Sequence, residues 1–562
     1  MQTPLLFRHA EATVPARVPE KRGAVYTKPW ITELILDMGG YDAGSDLAAK
    51  FAVEPAAGEG AFLAPMAVRL IRSARSKGRE PLECQDSLLA YELDEESAAV
   101  ARGTVSRALV EEGLPASQAK TLADGWVRVG DYLAEAAALP RADFVVGNPP
   151  YIRLEDVPPD LAGYYRAAYP TMKGRADLYV AFFEAALRQL AEGGVCAFIC
   201  ADRWMLNHYG GELRQLITSK FAVEAVVEMH EADAFASEVS AYPAVTVIRK
   251  GTQHSAVVAS VGRAAVEDGR ELAKGLRRTA GGEAARLPEG VSAARVGTWF
   301  GGDEPWPCTS PERLALLKQL EARFQPLESK ETGTRVGIGV ATGADKIFIT
   351  KDKALVEESR LLPLSLASDI SSGLLEWAGH YLINPWDEDG LVDLGQYPRL
   401  KTYLEEHREA LERRHVARKN RRAWARTIDR VNTELTGSAK LYVADIKDRL
   451  NPVLDRGETY PHHNLYFVQS NGWDLEVLGG LLLSDVAQFF VECYGVRMRG
   501  GYLRFQAQYL RRIRVPGPRE VTAGQAERLR RAFRGRDAEE ATAAALEVSG
   551  IDCIPPEVRG GY

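Results

Sequence analysis

Short apolar runs that end in an acidic or amide side chain recur through the first third of the chain. Residues 51–53 precede Glu54, 88–91 precede Glu92, and 144–146 precede Asn148, while another candidate strand, the third in chain order, ends close to Asp131. Such runs are typical of buried parallel strands, and the stretches between them carry helical periodicity. Because parallel strands place their carboxyl ends at one edge of a sheet, where ligands bind, the pattern predicts a doubly wound α/β sheet with one cofactor crevice.

The loop after the fourth strand combines an amide, two prolines and an aromatic ring: Asn148, Pro149, Pro150 and Tyr151. Two prolines fix two φ angles and remove two backbone donors, which leaves a rigid loop rich in acceptors. The Asn148 side-chain oxygen and the Pro149 carbonyl can both accept hydrogen bonds from an exocyclic amine. Tyr151 can stack on a base, a contact worth about 1–3 kcal/mol. The loop therefore indicates a grip on a planar ring bearing an –NH2 group, the alternative being a proline-stiffened turn.

A glycine-rich turn follows the first strand, in residues 54–60. Gly58 and Gly60 allow a ligand to approach the backbone closely. The spacing is not GxGxxG and no Walker lysine follows, so phosphate binding is disfavoured. An acidic residue at the strand end suits a cofactor with hydroxyl groups and a positive charge. Glu92 is then placed to bind a ribose diol, and Asp131 an adenine amine with Tyr132 or Leu133 packed on the ring.

Composition bounds the remaining possibilities. With 562 residues, of which 46% are hydrophobic and 26% charged, the chain predicts a globular protein of two or more domains. No apolar run is long enough to span a bilayer and no signal peptide is recognisable, so we expect no membrane partner. Six cysteines without CxxC spacing favour a reduced, cytoplasmic protein with core thiols and no metal.

The net charge of −7 argues weakly against nucleic acid, but the positive charge is unevenly placed. Residues 413–424 form one basic run, and a second run lies between Arg497 and Arg514. Basic side chains near a tryptophan suit phosphate contacts and base stacking, the alternative being a solvated helix face. The DNA-contact candidates are Arg421, Arg422, Trp424 and Arg504.

Taken in their order along the chain, these motifs resemble the S-adenosylmethionine-dependent amino-methyltransferases of DNA, in particular the TaqI-like (γ-class) adenine-N6 enzymes. The resemblance implies that Asn-Pro-Pro-Tyr is catalytic and that the N-terminal Thr-x-Pro segment lies beside the cofactor. It further implies an aromatic residue on the far side of the flipped base, for which Phe235 is the first choice and Tyr242 the second. The implied cofactor contacts are Tyr26, Thr27, Pro29, Glu54, Pro55, Ala56, Gly58, Gly60, Glu92, Leu93, Asp131, Tyr132 and Asn148.

The resemblance extends to about residue 516 and sets the expected domains. They are a flexible arm (1–22), a catalytic domain (23–252), a connection (253–297), an α+β target-recognition domain (298–516) and a helical tail (517–562). Double-stranded DNA is the expected partner, with a cognate restriction endonuclease as a separate protein. The same loop also fits methylation of cytosine N4, of RNA or of a protein glutamine. A non-catalytic DNA-recognition subunit is the other alternative, against which the intact cofactor turn and Asn148 argue.

Overall fold

The computed structural model describes residues 27–235, 242–262, 266–495 and 502–556, without the side chains of Arg421 and Thr433. The chain divides into two compact units, the first reaching Pro311 and the second running from Glu312 to Pro556. Tyr26 and the predicted arm, residues 1–22, lie outside the described residues.

A mixed sheet forms the centre of the first unit. Among the described residues its strands are β1 (Ala52–Glu54), β2 (Leu88–Glu92), β3 (Val127–Val129), β4 (Ala142–Gly147), β5 (Leu190–Ala201), β6 (Phe221–Glu228), β7 (Pro243–Lys250), β8 (Ala256–Val261) and β9 (Val291–Val296). Their order across the sheet is β3-β2-β1-β4-β5-β7-β6-β8-β9. The five strands from β3 to β5 run parallel, whereas β7 is antiparallel to both of its neighbours.

Helices cover both faces of this sheet, as the alternation of apolar runs and helical periodicity predicted. They are α1 (Pro29–Met38), α2 (Leu63–Ser76), α3 (Glu95–Glu111), α4 (Ala116–Trp126), α5 (Tyr132–Glu135), α6 (Pro159–Ala168), α7 (Tyr179–Gln189), α8 (Arg203–Leu206), α9 (Gly211–Lys220) and α10 (Gly269–Ala280). One apolar core holds the buried residues of α1 to α4 and α10. A second core holds those of α5 to α9. The unit is therefore a doubly wound α/β fold.

Strands β8 and β9 and helix α10, all within residues 253–297, belong to the first unit, which corrects the assignment of this range to a connection between domains. Strand β8 is buried throughout and pairs in parallel with β6, and β9 pairs with β8. Helix α10 buries Leu272 and Leu276 in the same core as α1. Alanine and glycine dilute the apolar signal here, because small residues fill a core without marking it in the sequence. The first unit therefore continues to Pro311.

The second unit mixes small sheets with helices. Its helices are α11 (Pro311–Arg323), α12 (Asp345–Phe348), α13 (Pro398–Glu406), α14 (Arg408–Glu412), α15 (His415–Lys419), α16 (Leu475–Leu483), α17 (Asp485–Tyr494), α18 (Ala507–Leu510), α19 (Ala523–Gly535) and α20 (Ala538–Ser549). Its strands are β10 (Gln325–Pro326), β11 (Arg335–Ile338), β12 (Ile349–Thr350), β13 (Leu361–Ser365), β14 (Tyr381–Ile383), β15 (Lys440–Ala444), β16 (Ile446–Lys447), β17 (Val453–Asp455), β18 (Tyr460–Pro461), β19 (Leu465–Gln469), β20 (Leu503–Arg504) and β21 (Arg514–Val515).

The predicted tail is part of this second unit. A Cβ on Gly479 of α16 would lie 2.5 Å from the Phe533 ring, and one on Gly480 would lie 2.5 Å from the carbonyl of Leu529. Helices α16 and α19 therefore pack at backbone contact. In the described ranges no single helix is long and apolar enough to cross a membrane; α16 and α17 meet that length and composition only as a pair bent by 62°.

Candidate active site

The pairing of β1 with β4 brings two of the motifs together. Ala52 lies opposite Phe144 and Val53 opposite Val145, so both strands end at the same edge of the sheet. A Cβ on Gly147 would lie 3.4 Å from Cδ of Pro55 and 3.6 Å from Cγ of Glu54. The acidic turn after β1 thus borders directly on the loop that begins at Asn148.

The glycine turn has the backbone that its sequence predicted. Gly58 has φ +54° and Gly60 φ +93°, values that L side chains rarely adopt, and nothing lies within 4 Å of the Cβ position of Gly58. The Gly58 N–H donates to Oε2 of Glu92 over 2.8 Å, and the Asp94 N–H donates to Oε1 over 2.9 Å. Glu92 therefore joins the ends of β1 and β2.

Glu54 is a buried carboxyl group with unused acceptor capacity. Its side chain is 1% exposed, and Oε2 has no hydrogen-bond partner in the described part of the chain. Burial raises the pKa of the Glu54 carboxyl well above its ordinary value, and the Glu92 carboxylate raises it further. A cationic ligand group at this edge would supply the missing partner and favour the charged form.

Asp131 is held by Tyr165, a residue that no sequence motif singles out. Tyr165 donates its hydroxyl to Oδ2 of Asp131 over 2.8 Å, and the Leu133 N–H donates to Oδ1 over 2.9 Å. Burial raises the pKa of Asp131, although these hydrogen bonds oppose the rise. The expectation that Tyr132 packs on a ligand ring is corrected, because its side chain is 1% exposed and stacks on Phe182 within the core.

The segment before α1 connects the two sides of the site. The Asn148 amide nitrogen donates to Oγ1 of Thr27 over 3.2 Å, and Thr27 also forms an isolated antiparallel bridge with Phe235. Lys28 pairs with Asp233, and the Lys28 N–H donates to the Ala234 carbonyl over 3.0 Å. Pro29 is the first residue of α1. Thr27 therefore orients the catalytic candidate and the far-side aromatic together, a link with no signal in the sequence.

Of the two aromatic candidates, Phe235 is the one whose ring faces Tyr151. Their centroids are 6.4 Å apart at an interplanar angle of 83°, and Tyr179 lies at the same distance on another side of Tyr151. The ring of Tyr242 packs instead against His230, at 5.0 Å. The Tyr151 hydroxyl is buried without a hydrogen-bond partner among the described residues. Burial raises the pKa of this phenol well above its ordinary value, so it stays protonated.

His230 lies between two carboxylates near Tyr242, and this group was not predicted because Asp202 is 28 residues from His230 in the sequence. His230 contacts Asp202 through Nε2 at 2.7 Å and Glu228 through Nδ1 at 2.9 Å. Burial lowers the pKa of His230, but the two carboxylates outweigh it and the pKa lies well above the ordinary value. The Asp202 N–H donates to the Tyr242 carbonyl over 2.9 Å. The cluster thus fastens the ends of β5 and β6 to the start of β7.

In the second unit, the residues predicted to contact DNA differ in how exposed their side chains are and in what they contact. Trp424 is 9% exposed, lies in an apolar core and is covered by the Arg408 guanidinium at 4.9 Å, which corrects its assignment to base stacking. Arg422 is exposed, while the side chain of Arg421 lies outside the described atoms.

Two other arginines of this unit have partners within the protein. Arg504 is 38% exposed and pairs with Asp445. Arg414 binds the carbonyls of Thr342, Trp424 and Arg426 and is structural.

Comparison with known proteins identifies the family. The chain is 42% identical over 551 residues to the type II methyltransferase M.PaeR7I of Pseudomonas aeruginosa, covering 96% of this chain and 94% of the relative. It is 41% identical over 546 residues to the type II methyltransferase M.XhoI of Xanthomonas vasicola, with 95% and 98% covered. The Eco57I restriction-modification methylase family matches residues 137–235, which include the Asn-Pro-Pro-Tyr loop.

The chain belongs to the type II methyltransferases. The type IIL restriction-modification enzyme MmeI, solved in complex with DNA, has a similar fold, with a TM-score of 0.54 at 11% identity over 94% of this chain and 74% of that one. S-adenosylmethionine is the cofactor of this type II methyltransferase. The residues fit that group: Glu54 has a buried oxygen without a partner among the described residues, the Cβ position of Gly58 in the same turn has nothing within 4 Å, and Glu92 and Asp131 lie at the neighbouring strand ends.

Proposed function

We propose that this type II methyltransferase transfers the methyl group of S-adenosylmethionine to N6 of an adenine flipped out of duplex DNA. The observation that carries the proposal is the position of Asn148 to Tyr151, at the carboxyl end of β4 and directly beside the turn that holds Glu54. An acceptor-rich loop next to a cofactor turn serves transfer to an amine. A protein that only binds DNA needs neither feature.

The residues of this site would hold the two reactants as follows. Glu54 would meet the positively charged amino acid part of the cofactor, Glu92 the ribose hydroxyls and Asp131 the adenine amine. When bound, the cofactor supplies a methyl carbon activated by a sulfonium. Such a site works mainly by positioning, which can contribute several kcal/mol to the barrier.

The target amine would be held by the loop itself. An adenine N6 is a weak nucleophile because its lone pair is delocalised into the ring. The Asn148 side-chain oxygen and the Pro149 carbonyl would accept both N6 hydrogens and favour a pyramidal nitrogen whose lone pair points at the methyl carbon. In that position the nitrogen would form a bond to the methyl carbon as the S–C bond breaks, the electron pair of that bond would stay on sulfur, and the nitrogen would then release one proton to solvent.

Extrahelical binding would be stabilised by aromatic contacts. Extruding a base costs a few kcal/mol, and stacking on Tyr151 with Phe235 opposite would offset that cost. The second unit is proposed to recognise the target sequence, and the modification to protect DNA against a separate cognate endonuclease.

This function can be tested by incubating the purified protein with isotopically labelled S-adenosylmethionine and unmodified duplex DNA. The nucleosides are then analysed by mass spectrometry. Labelled N6-methyladenine is expected, and none is expected with Asn148→Ala. Labelled N4-methylcytosine would support transfer to an exocyclic amine but show that the target base is cytosine. Label in RNA or protein, with none in DNA, would refute the proposal.

A further inference from the structure

Two short strands form an outward-facing ribbon in the second unit. In β16 and β20, Ile446 lies opposite Arg504 and Lys447 opposite Leu503 in antiparallel register. The Phe505 N–H donates to the Asp445 carbonyl over 2.7 Å and extends the ladder by one step. A two-stranded ribbon is one of the two protein elements that the major groove of B-DNA admits.

The burial pattern decides which side chains point outward. Leu503 is 2% exposed and Phe505 is fully buried, so the alternation of a strand directs Arg504 to the opposite face. Ile446, its cross-strand partner, shares that face and is 47% exposed. An exposed isoleucine beside an arginine contributes little to the core of this unit, but the pair suits the edges of bases.

Asp445 fixes the orientation of the Arg504 guanidinium. Nε of Arg504 donates to Oδ1 of Asp445 over 3.3 Å and Nη2 donates to Oδ2, while the Arg504 side chain stays 38% exposed. One edge of the planar fork is thereby occupied. Among the described residues no acceptor contacts the other edge, formed by Nη1 and the second Nη2 hydrogen, so this edge can bind an external pair of acceptors.

We propose that Arg504, oriented by Asp445, reads a guanine in the major groove of the target sequence, with Ile446 against a neighbouring base edge. Two parallel N–H donors match O6 and N7 of guanine, and an apolar side chain matches the methyl group of thymine. A phosphate contact would explain the arginine alone. The adjacent exposed isoleucine favours base readout. This inference rests on the proposed function, namely that the chain methylates DNA.

The test begins by mapping the methylated sequence of the wild-type enzyme on plasmid DNA. Synthetic duplexes then replace each guanine of that sequence, one at a time, with 7-deazaguanine, which lacks the N7 acceptor. At one position the wild-type kcat/KM is expected to fall at least about 5-fold, the lower bound for a bidentate base contact, because O6 still accepts one of the two hydrogen bonds. Arg504→Ala should lose about 5- to 150-fold on unmodified DNA and show no further loss with 7-deazaguanine at that position.

Arg530→Ala is the matched control, because Arg530 is also an arginine of this unit paired with an aspartate, Asp474, at 2.8 Å. It should retain wild-type specificity. If Arg504→Ala instead lowers kcat/KM equally on every DNA sequence and DNA binding becomes less dependent on salt, Arg504 contacts a phosphate and the proposed base contact is wrong. A wild-type enzyme insensitive to all 7-deazaguanine substitutions would also overturn the base contact, a result that does not depend on folding of a variant. If the wild type methylates no DNA, both proposals fail.

Discussion

Replacing Glu54 with glutamine removes a buried acid from the end of β1 with almost no change in volume. Burial and then the Glu92 carboxylate raise the pKa of Glu54 well above 4.5 in the folded, cofactor-free protein. The folded chain therefore holds a proton that the unfolded chain has already released. Since the folded state binds more protons in that window, the free energy of unfolding of the wild type falls as pH rises from about 4.5 toward the raised pKa.

The size of the effect follows from the linkage of one proton. A single group of this kind changes the free energy of unfolding by at most about 1.4 kcal/mol per pH unit. Glu54→Gln cannot titrate, so its stability relative to the wild type should increase with pH across that window. Its affinity for S-adenosylmethionine should decrease, because removing one partner of a buried charge pair typically costs about 2–5 kcal/mol, or 30-fold and more in Kd.

Chemical unfolding at a series of pH values, without cofactor, and calorimetric titration with S-adenosylmethionine would measure both effects. Glu184→Gln is the control, because Glu184 is equally buried but accepts hydrogen bonds from the N–H and hydroxyl of Thr171, at 2.9 and 2.6 Å. That variant should lose stability and keep its cofactor affinity. Parallel pH profiles for Glu54→Gln and the wild type, or an unchanged Kd, would refute the reasoning.

Four further substitutions, at three residues, test the roles of the other candidates. Asn148→Ala should bind the cofactor normally and lose at least about 100-fold in single-turnover methylation rate; a rate near the wild type would exclude the amide from the mechanism. Tyr151→Phe should methylate at close to the wild-type rate because the hydroxyl has no partner among the described residues, whereas Tyr151→Ala should lose about 5- to 150-fold; equal losses would instead indicate a phenol that donates a hydrogen bond. Trp424→Ala should destabilise the second unit by about 3–5 kcal/mol in chemical unfolding, and the folded variant should keep its DNA affinity. Unchanged stability with reduced DNA affinity would instead indicate that this ring stacks on a base.

The sheet and the positions of the motifs at its strand ends could be predicted from the sequence, because each depends on local patterns. Strands buried on both faces need continuous apolar runs, which is why the runs before Glu54, Glu92 and Asn148 appear as β1, β2 and β4. The glycine turn was predictable for the same reason, since positive φ at Gly58 and Gly60 restricts the residue type.

Other features could not be predicted, because the contacts that create them join distant segments. Nothing near Thr27 in the sequence indicates that it contacts both Asn148 and Phe235, and nothing near Tyr165 indicates Asp131. The basic run around Trp424 suggested a DNA surface, but packing buries that ring.

The sequence by itself therefore determined the fold class, the motifs at the strand ends and the family, since backbone conformation and burial impose local rules on residue type. Tertiary structure alone decided which side chains are available to ligands and which are buried or bonded within the protein. It buried Tyr132 and Trp424. Among the described residues it left Oε2 of Glu54 without a hydrogen-bond partner and one edge of the Arg504 guanidinium without an acceptor. The physical reason is that a partner's position depends on how non-adjacent elements pack, which no short stretch of sequence encodes.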